Sequence, residues 1–97
     1  YRDDLVTAFH DLHPAAPVHI LIVPNRHIAT LNDLTSADEA WSGRLLEAAR
    51  QIAAGQGLAA DGYRLVLNVG AGGGQSIFHL HMHLLGGGRL RSHLGLG

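Results

Sequence analysis

The sequence predicts an α+β fold, a mostly antiparallel sheet with one main helix, and three observations predict it. Short β-type runs flank a single long amphipathic stretch, in the order strand, strand, helix, strand, strand. The connections are short, which favours antiparallel neighbours over long crossovers. One run, "SIFHLHMHLLGG" from Ser76 to Gly87, alternates polar and apolar residues with the period of a strand.

The first run, "LVTAFHD" (Leu5 to Asp11), is β-type and is closed by "HPAAP", whose two prolines make a rigid connection. "VHILIVP" (Val18 to Pro24) is β-branched and apolar, the pattern of a buried strand stopped by proline. "NRHIATLNDL" reads as an irregular bridge. Ser36 and Glu39 then have the spacing of a capping box, in which each side chain satisfies a free N–H of the first helical turn. Trp41, Leu45, Ala48, Ala49 and Ile52 recur at helical spacing and form a core stripe, with Glu47 and Arg50 outside it. Gly55 and Gly57 offer a left-handed stop. "YRLVLNV" (Tyr63 to Val69) is a third strand, "GAGGG" a turn, and Ile77 to Leu85 the strand that carries the histidines.

Ninety-seven residues at 46% hydrophobic content suffice for one compact domain, residues 1–97. The net charge of −1 supplies no basic field for nucleic acid. No apolar run is long enough to cross a bilayer, so no membrane partner is expected. The absence of cysteine excludes disulfides and thiolate zinc sites and fits a reducing compartment, so a cytoplasmic protein is expected. The chain opens on Tyr1, and the expectation is that an N-terminal segment precedes it. The one excess is histidine, eight residues against seven Lys and Arg together.

That excess concentrates the chemistry. On an extended strand His79, His81 and His83 share one face, each about 6.6 Å from the next, with Leu80, Met82 and Leu84 on the other. A half-buried strand whose polar face happens to be histidine is the plain reading. A metal site is another, because neighbouring histidines at i and i+2 can chelate zinc and His27 could complete the set. The outer pair, about 13 Å apart, would reach one ion only with strain, so a row of rings better suits an extended ligand. The glycine loop has two readings as well. Gly70, Gly72, Gly73 and Gly74 suit a turn that needs positive φ, and successive glycine N–H groups can also cradle an anion. No GK[ST] follows, so the loop is not a P-loop. Asn68, Gln75 and Ser76 add neutral hydrogen-bonding groups beside it, though Asn and Ser are also ordinary turn residues. Phe9, His10 and Asp11 end the first strand, where an aromatic beside a carboxylate could hold a base and a ribose or the strand could simply pack its Phe.

"HLHMHLL" resembles the His-φ-His-φ-His-φ-φ signature of the histidine triad (HIT) family of nucleotide hydrolases and transferases. "GYRLVLNVGAGGGQSIFHLHMHLLGGGRL" and the upstream "AFHDLHPAAPVHILIVPNRHIATLNDL" resemble its purine nucleoside phosphoramidase branch, from about Leu5 to Leu90. The resemblance implies a HIT-like fold, a five-stranded antiparallel sheet with a helix, continued across a homodimer. It implies cleavage of a P–N bond in a purine nucleotide through a nucleotidyl-histidine, with no metal and no other cofactor. His81 would be the nucleophile, His79 and His83 its positioning and proton-handling neighbours, and His27 the fourth histidine. Ser76 would assist the leaving amine, Asn68 and Gln75 would contact phosphate, and Gly74 would be among the substrate-binding residues. Asp11 would bind ribose, with Phe9, His10 and Leu12 around the base. Dinucleoside polyphosphate hydrolysis and a non-catalytic nucleotide-binding module are the alternatives. Three features depart from the branch: the Cys-x-x-Cys segment carried by many bacterial members is absent from these residues, Val69 stands where an acidic residue often occurs, and the tail "RSHLGLG" lacks the Trp-Pro-Pro-Gly ending.

Overall fold

A computed structural model of the chain describes residues 1–90, so the tail "RSHLGLG" lies outside the described residues. β1 (Val6–His10) pairs antiparallel with β2 (Val18–Pro24), Val6 opposite Pro24 and His10 opposite Ile20. β4 (Met82–Gly86) takes the other side of β2, with Leu21 opposite His83, and β3 (Arg64–Val66) pairs with the far side of β4. The sheet order is β1-β2-β4-β3, antiparallel throughout.

Alternation decides which face each residue serves. Ile20 and Ile22 of β2 and Leu80, Met82 and Leu84 around β4 are buried against α1 (Glu39–Gly55). The helix contributes Trp41, Leu45, Ala48, Ala49 and Ala53, with Ile52 partly buried at the margin. The alanines matter here. Their small side chains let α1 lie close to the sheet. Past the helix, Gly57 at φ +75° reverses the chain, so that the Leu58 N–H donates to Ala53 O at 2.9 Å and Leu58 returns to the core.

Several local features differ from expectation, among them the third strand, which runs only over Arg64–Val66. The resemblance implied five strands, whereas four are present among the described residues. Tyr1–Asp4 makes only an isolated bridge, Arg2 opposite Thr7, because the Asp3 carboxylate accepts from the N–H groups of Leu5 and Val6 and bends the chain. The strand expected over Ile77 to Leu85 begins only at Met82. Pro24 has no N–H with which to extend the β2 ladder, and the Leu80 N–H donates to Ile28 O at 2.7 Å instead. The capping box is shifted by one residue: Thr35 and Asp38 cap a short 3-10 turn, Ser36–Asp38, that feeds into α1 at Glu39. Of the turn glycines, only Gly70 and Gly74 take positive φ, +70° and +90°.

Candidate active site

The face of the sheet opposite α1 carries a cavity of about 510 Å³ lined by Phe9, Asp11, Leu21, Val23, Asn68, Gly74, Ser76, Ile77, His79, His81 and His83. Its position follows from pleat and register. Phe9 and Asp11 continue one face of β1, Leu21 and Val23 one face of β2, and His83 the same face of β4. Although His79 and His81 precede β4, burial keeps alternating, with Leu80 and Met82 inward and the histidines half-exposed towards the cavity. The glycine loop delivers Gly74 and Ser76 to the rim.

Hydrogen-bond partners assign a proton to each ring. A carbonyl only accepts, so the contact of His81 Nδ1 with His79 O at 2.8 Å places the proton on Nδ1. The neutral His81 ring then keeps its lone pair on Nε2. His79 donates from Nε2 to Pro24 O at 3.1 Å, and its Nδ1 faces His27 Nδ1 at 3.1 Å, with His27 the donor. Both nitrogens of His79 are therefore committed to the protein. It anchors its neighbour through its own carbonyl.

His83 is wired to the other side. Its Nδ1 lies 2.8 Å from His19 Nε2, and the Ala15 N–H donates to His19 Nδ1 at 3.0 Å. An N–H can meet only a bare ring nitrogen, so the neutral His19 ring carries its proton on Nε2 and donates it to His83. His83 is left with a proton on Nε2. Burial, the dominant cause, and the adjacent His81 and His19 hold the His83 pKa below its ordinary value, against the opposing pull of Asp11. The His13 N–H donates to Asp11 Oδ1 at 2.8 Å and, with desolvation opposing it and the nearby histidines helping, keeps that carboxyl below the usual range. A bare lone pair on His81 and a donor on His83 thus share one cavity.

His19 was not singled out in the sequence, where "VHILIVP" read simply as a buried strand. Strand alternation already puts His19 with Leu21 and Val23, away from the core residues Ile20 and Ile22. What brings it to His83 is the pairing of β2 with β4, which one sequence does not fix. Asp11, His19 and His83 also offer ligand atoms within 4.8 Å of one another, the spacing of a metal site. The tautomers oppose that use. A metal on His19 Nε2 would need the ring proton on Nδ1, where the Ala15 N–H already points.

Four expected site residues fall elsewhere. His27 reaches the cavity only through His79. His10 lies on the opposite face of β1 from Phe9, because adjacent strand residues alternate, and Leu12 is 90% exposed in the following turn. Gln75 braces its own loop. Buried to 4% exposure, its Oε1 accepts from the Gly70 N–H at 2.8 Å, and its Nε2 donates to Ala29 O and Ile77 O. That amide closes the loop and has no group to spare for a phosphate. The walls Leu21, Val23 and Ile77 had no distinguishing sequence signal beyond being apolar.

Comparison with known proteins adds an independent line. A family model described as HIT domain matches residues 1–90. The purine nucleoside phosphoramidase of Escherichia coli (strain K12) is 52% identical over 99 residues, covering 99% of this chain and 83% of that protein. A HIT family hydrolase from Legionella pneumophila superposes with a TM-score of 0.91 at 45% identity, covering 94% of this chain and 81% of that one. A histidine triad protein from Clostridium difficile gives a TM-score of 0.92 at 39% identity, covering 96% and 81%. With the family model spanning the described fold and the three histidines lining its cavity, the chain belongs to the HIT family.

Proposed function

We propose that this chain is a nucleotide hydrolase that cleaves the P–N bond of purine nucleoside phosphoramidates through a covalent nucleotidyl-histidine on His81. The carrying observation is the bond from His81 Nδ1 to His79 O, which leaves the Nε2 lone pair in a cavity with an apolar wall and hydrogen-bonding groups at its rim. The name of the E. coli relative supports the same substrate class.

In the reaction so read, His81 Nε2 attacks phosphorus and the P–N bond breaks. The amine leaves with the electron pair and takes up a proton delivered through Ser76 or His83. Water then cleaves the P–Nε2 bond: its hydroxyl joins phosphorus and its proton returns to the group that protonated the amine, which releases a nucleoside monophosphate and restores the neutral His81 ring. Phosphoryl transfer gains chiefly from positioning and from donors to the phosphoryl oxygens, which His83 Nε2–H, Ser76 and the N–H groups of the glycine loop can supply. Phe9, Leu21, Val23 and Ile77 form an apolar slot for a purine, and Asp11 accepts from ribose hydroxyls.

The test is turnover of an adenosine 5′-phosphoramidate with and without chelator, followed by rapid quenching and mass spectrometry. Chelator-insensitive turnover and intact protein heavier by one nucleoside monophosphate, mapped to His81, are expected. Binding without turnover would replace this reading with a nucleotide-binding module. Zinc-dependent turnover would replace it with a metal mechanism.

A further inference from the structure

The turn from His13 to Pro17 touches the site only through its backbone, yet it holds the end of the hydrogen-bond chain that leads into the cavity. We infer that the Ala15 N–H is a positioning group: by occupying His19 Nδ1 it fixes the direction of the His19–His83 bond, so that His83 faces the substrate as a donor.

Counting protons decides the direction of the bond. His83 Nδ1 and His19 Nε2 are 2.8 Å apart, and one proton lies between two neutral rings at that distance. The geometry of the pair does not say whose proton it is. If it belonged to His83, that ring would present a bare Nε2 to the cavity. Two lone pairs, from His83 and His81, would then face the anionic oxygens of a phosphoryl group, and repulsion would follow. With the proton on His19, His83 presents Nε2–H, which can donate to a phosphoryl oxygen as charge gathers there. The Ala15 N–H, 3.0 Å from His19 Nδ1, selects the second arrangement, because an N–H cannot bond to a protonated nitrogen, and the Asp11 carboxylate, 3.5 Å from His19 Nε2, adds a weaker pull towards a proton on that atom. His19 is 7% exposed, which leaves little room for water to replace that donor. The flanking prolines, Pro14 and Pro17, restrict the turn that aims it. The effect on catalysis rests on the phosphoramidase reading above, whereas the tautomers do not.

Long-range proton–nitrogen NMR of histidine-labelled protein distinguishes bare from protonated ring nitrogens and tests this directly. Wild-type protein should show His19 and His83 each protonated on Nε2 and bare on Nδ1. Ala15→Pro deletes the donor and leaves only the more distant Asp11 carboxylate to favour Nε2–H on His19, so both rings should gain a measurable fraction of the other tautomer. The kcat for a phosphoramidate should then fall about 10- to 100-fold with KM changed less than about twofold. Ala15→Gly keeps the N–H and should retain wild-type tautomers and kcat. A wild-type His83 bare on Nε2 would overturn the inference whatever the variants do. So would wild-type tautomers and full kcat in a folded Ala15→Pro protein. The expected tautomers without turnover by the wild type would uphold the relay's direction and count against the phosphoramidase reading.

Discussion

At the scale of single residues, the site is a set of proton assignments. His81→Ala removes the only ring among the three whose free nitrogen is a lone pair aimed at the cavity, and kcat should fall by roughly 10⁴, about 5.5 kcal/mol of barrier. Circular dichroism should be unchanged, because the ring lies opposite the core residues Leu80 and Met82. Wild-type turnover surviving in that variant would dismiss His81 as the nucleophile. Asp11 offers a second measurement. It is the one group pulling the His83 pKa up, while burial, His81 and His19 push it down. Asp11→Asn should therefore lower the His83 titration midpoint further below its ordinary value, followed by ring NMR. Because the folded value is depressed, the stability tied to a neutral His83 is present at pH 7 and is lost as pH falls below the unfolded value of about 6.5. An upward shift in Asp11→Asn would show that another charge dominates. The histidine row and Asp11 were legible in the sequence because alternation and a motif mark them. His19 was not, since its role depends on which strands pair, and the loop-bracing bonds of Gln75 were not, because an amide looks the same in a sequence whether it meets a ligand or its own loop.

At the scale of elements, the helix and β2 were readable because periodicity is local: β2 runs from Val18 to Pro24 as expected, and the stripe from Trp41 to Ala49 is buried. Boundaries were less so, because a partner strand sets them; β4 begins where Pro24 ends the ladder. The start of the helix rests on a buried carboxylate that the Ser36–Glu39 spacing did not reveal. Asp38, 1% exposed, accepts from Trp41 Nε1 at 2.8 Å, from the Thr35 N–H at 2.9 Å and from Arg26. Arg26 immediately precedes His27, so the same carboxylate ties the helix cap to the segment that holds His79. Asp38→Ala strands the buried Trp41 N–H without an acceptor and should lower Tm by calorimetry. The N–H of Thr35, then Trp41, with desolvation opposing, keep the Asp38 carboxyl below its ordinary range. Its contribution to stability should therefore be present above the unfolded value of about 3.8 and fade as pH falls below it, a loss that Asp38→Ala should not show. A variant as stable as wild type at pH 7 would make the cap incidental.

At the scale of the whole molecule, the sheet is closed on one side and open on the other. No helix among the described residues is long and apolar enough to cross a membrane. Among the described residues, β3 is the last strand on its side of the sheet. Leu65 pairs with Leu84, which is wholly buried, so both side chains point to the face that α1 covers. α1 packs on β2, β1 and β4 but makes no comparable approach to β3, and Leu65 is left 37% exposed beside the equally exposed Tyr63. An apolar side chain on the core face of an end strand is a place where a second sheet can continue the first. The homodimer implied by the resemblance would use this edge, β3 against β3 about a two-fold axis, joining two sheets into one. A stable pair needs roughly 800 Å² from each partner, more than three strand residues supply, so side chains flanking the edge must join it. Sedimentation at micromolar concentration should then give about twice the 10.3 kDa chain mass. Leu65→Asp puts a charge at the centre of that contact and should yield a folded monomer. A wild-type monomer at that concentration, or an undisturbed dimer in Leu65→Asp, would place the interface elsewhere or remove it.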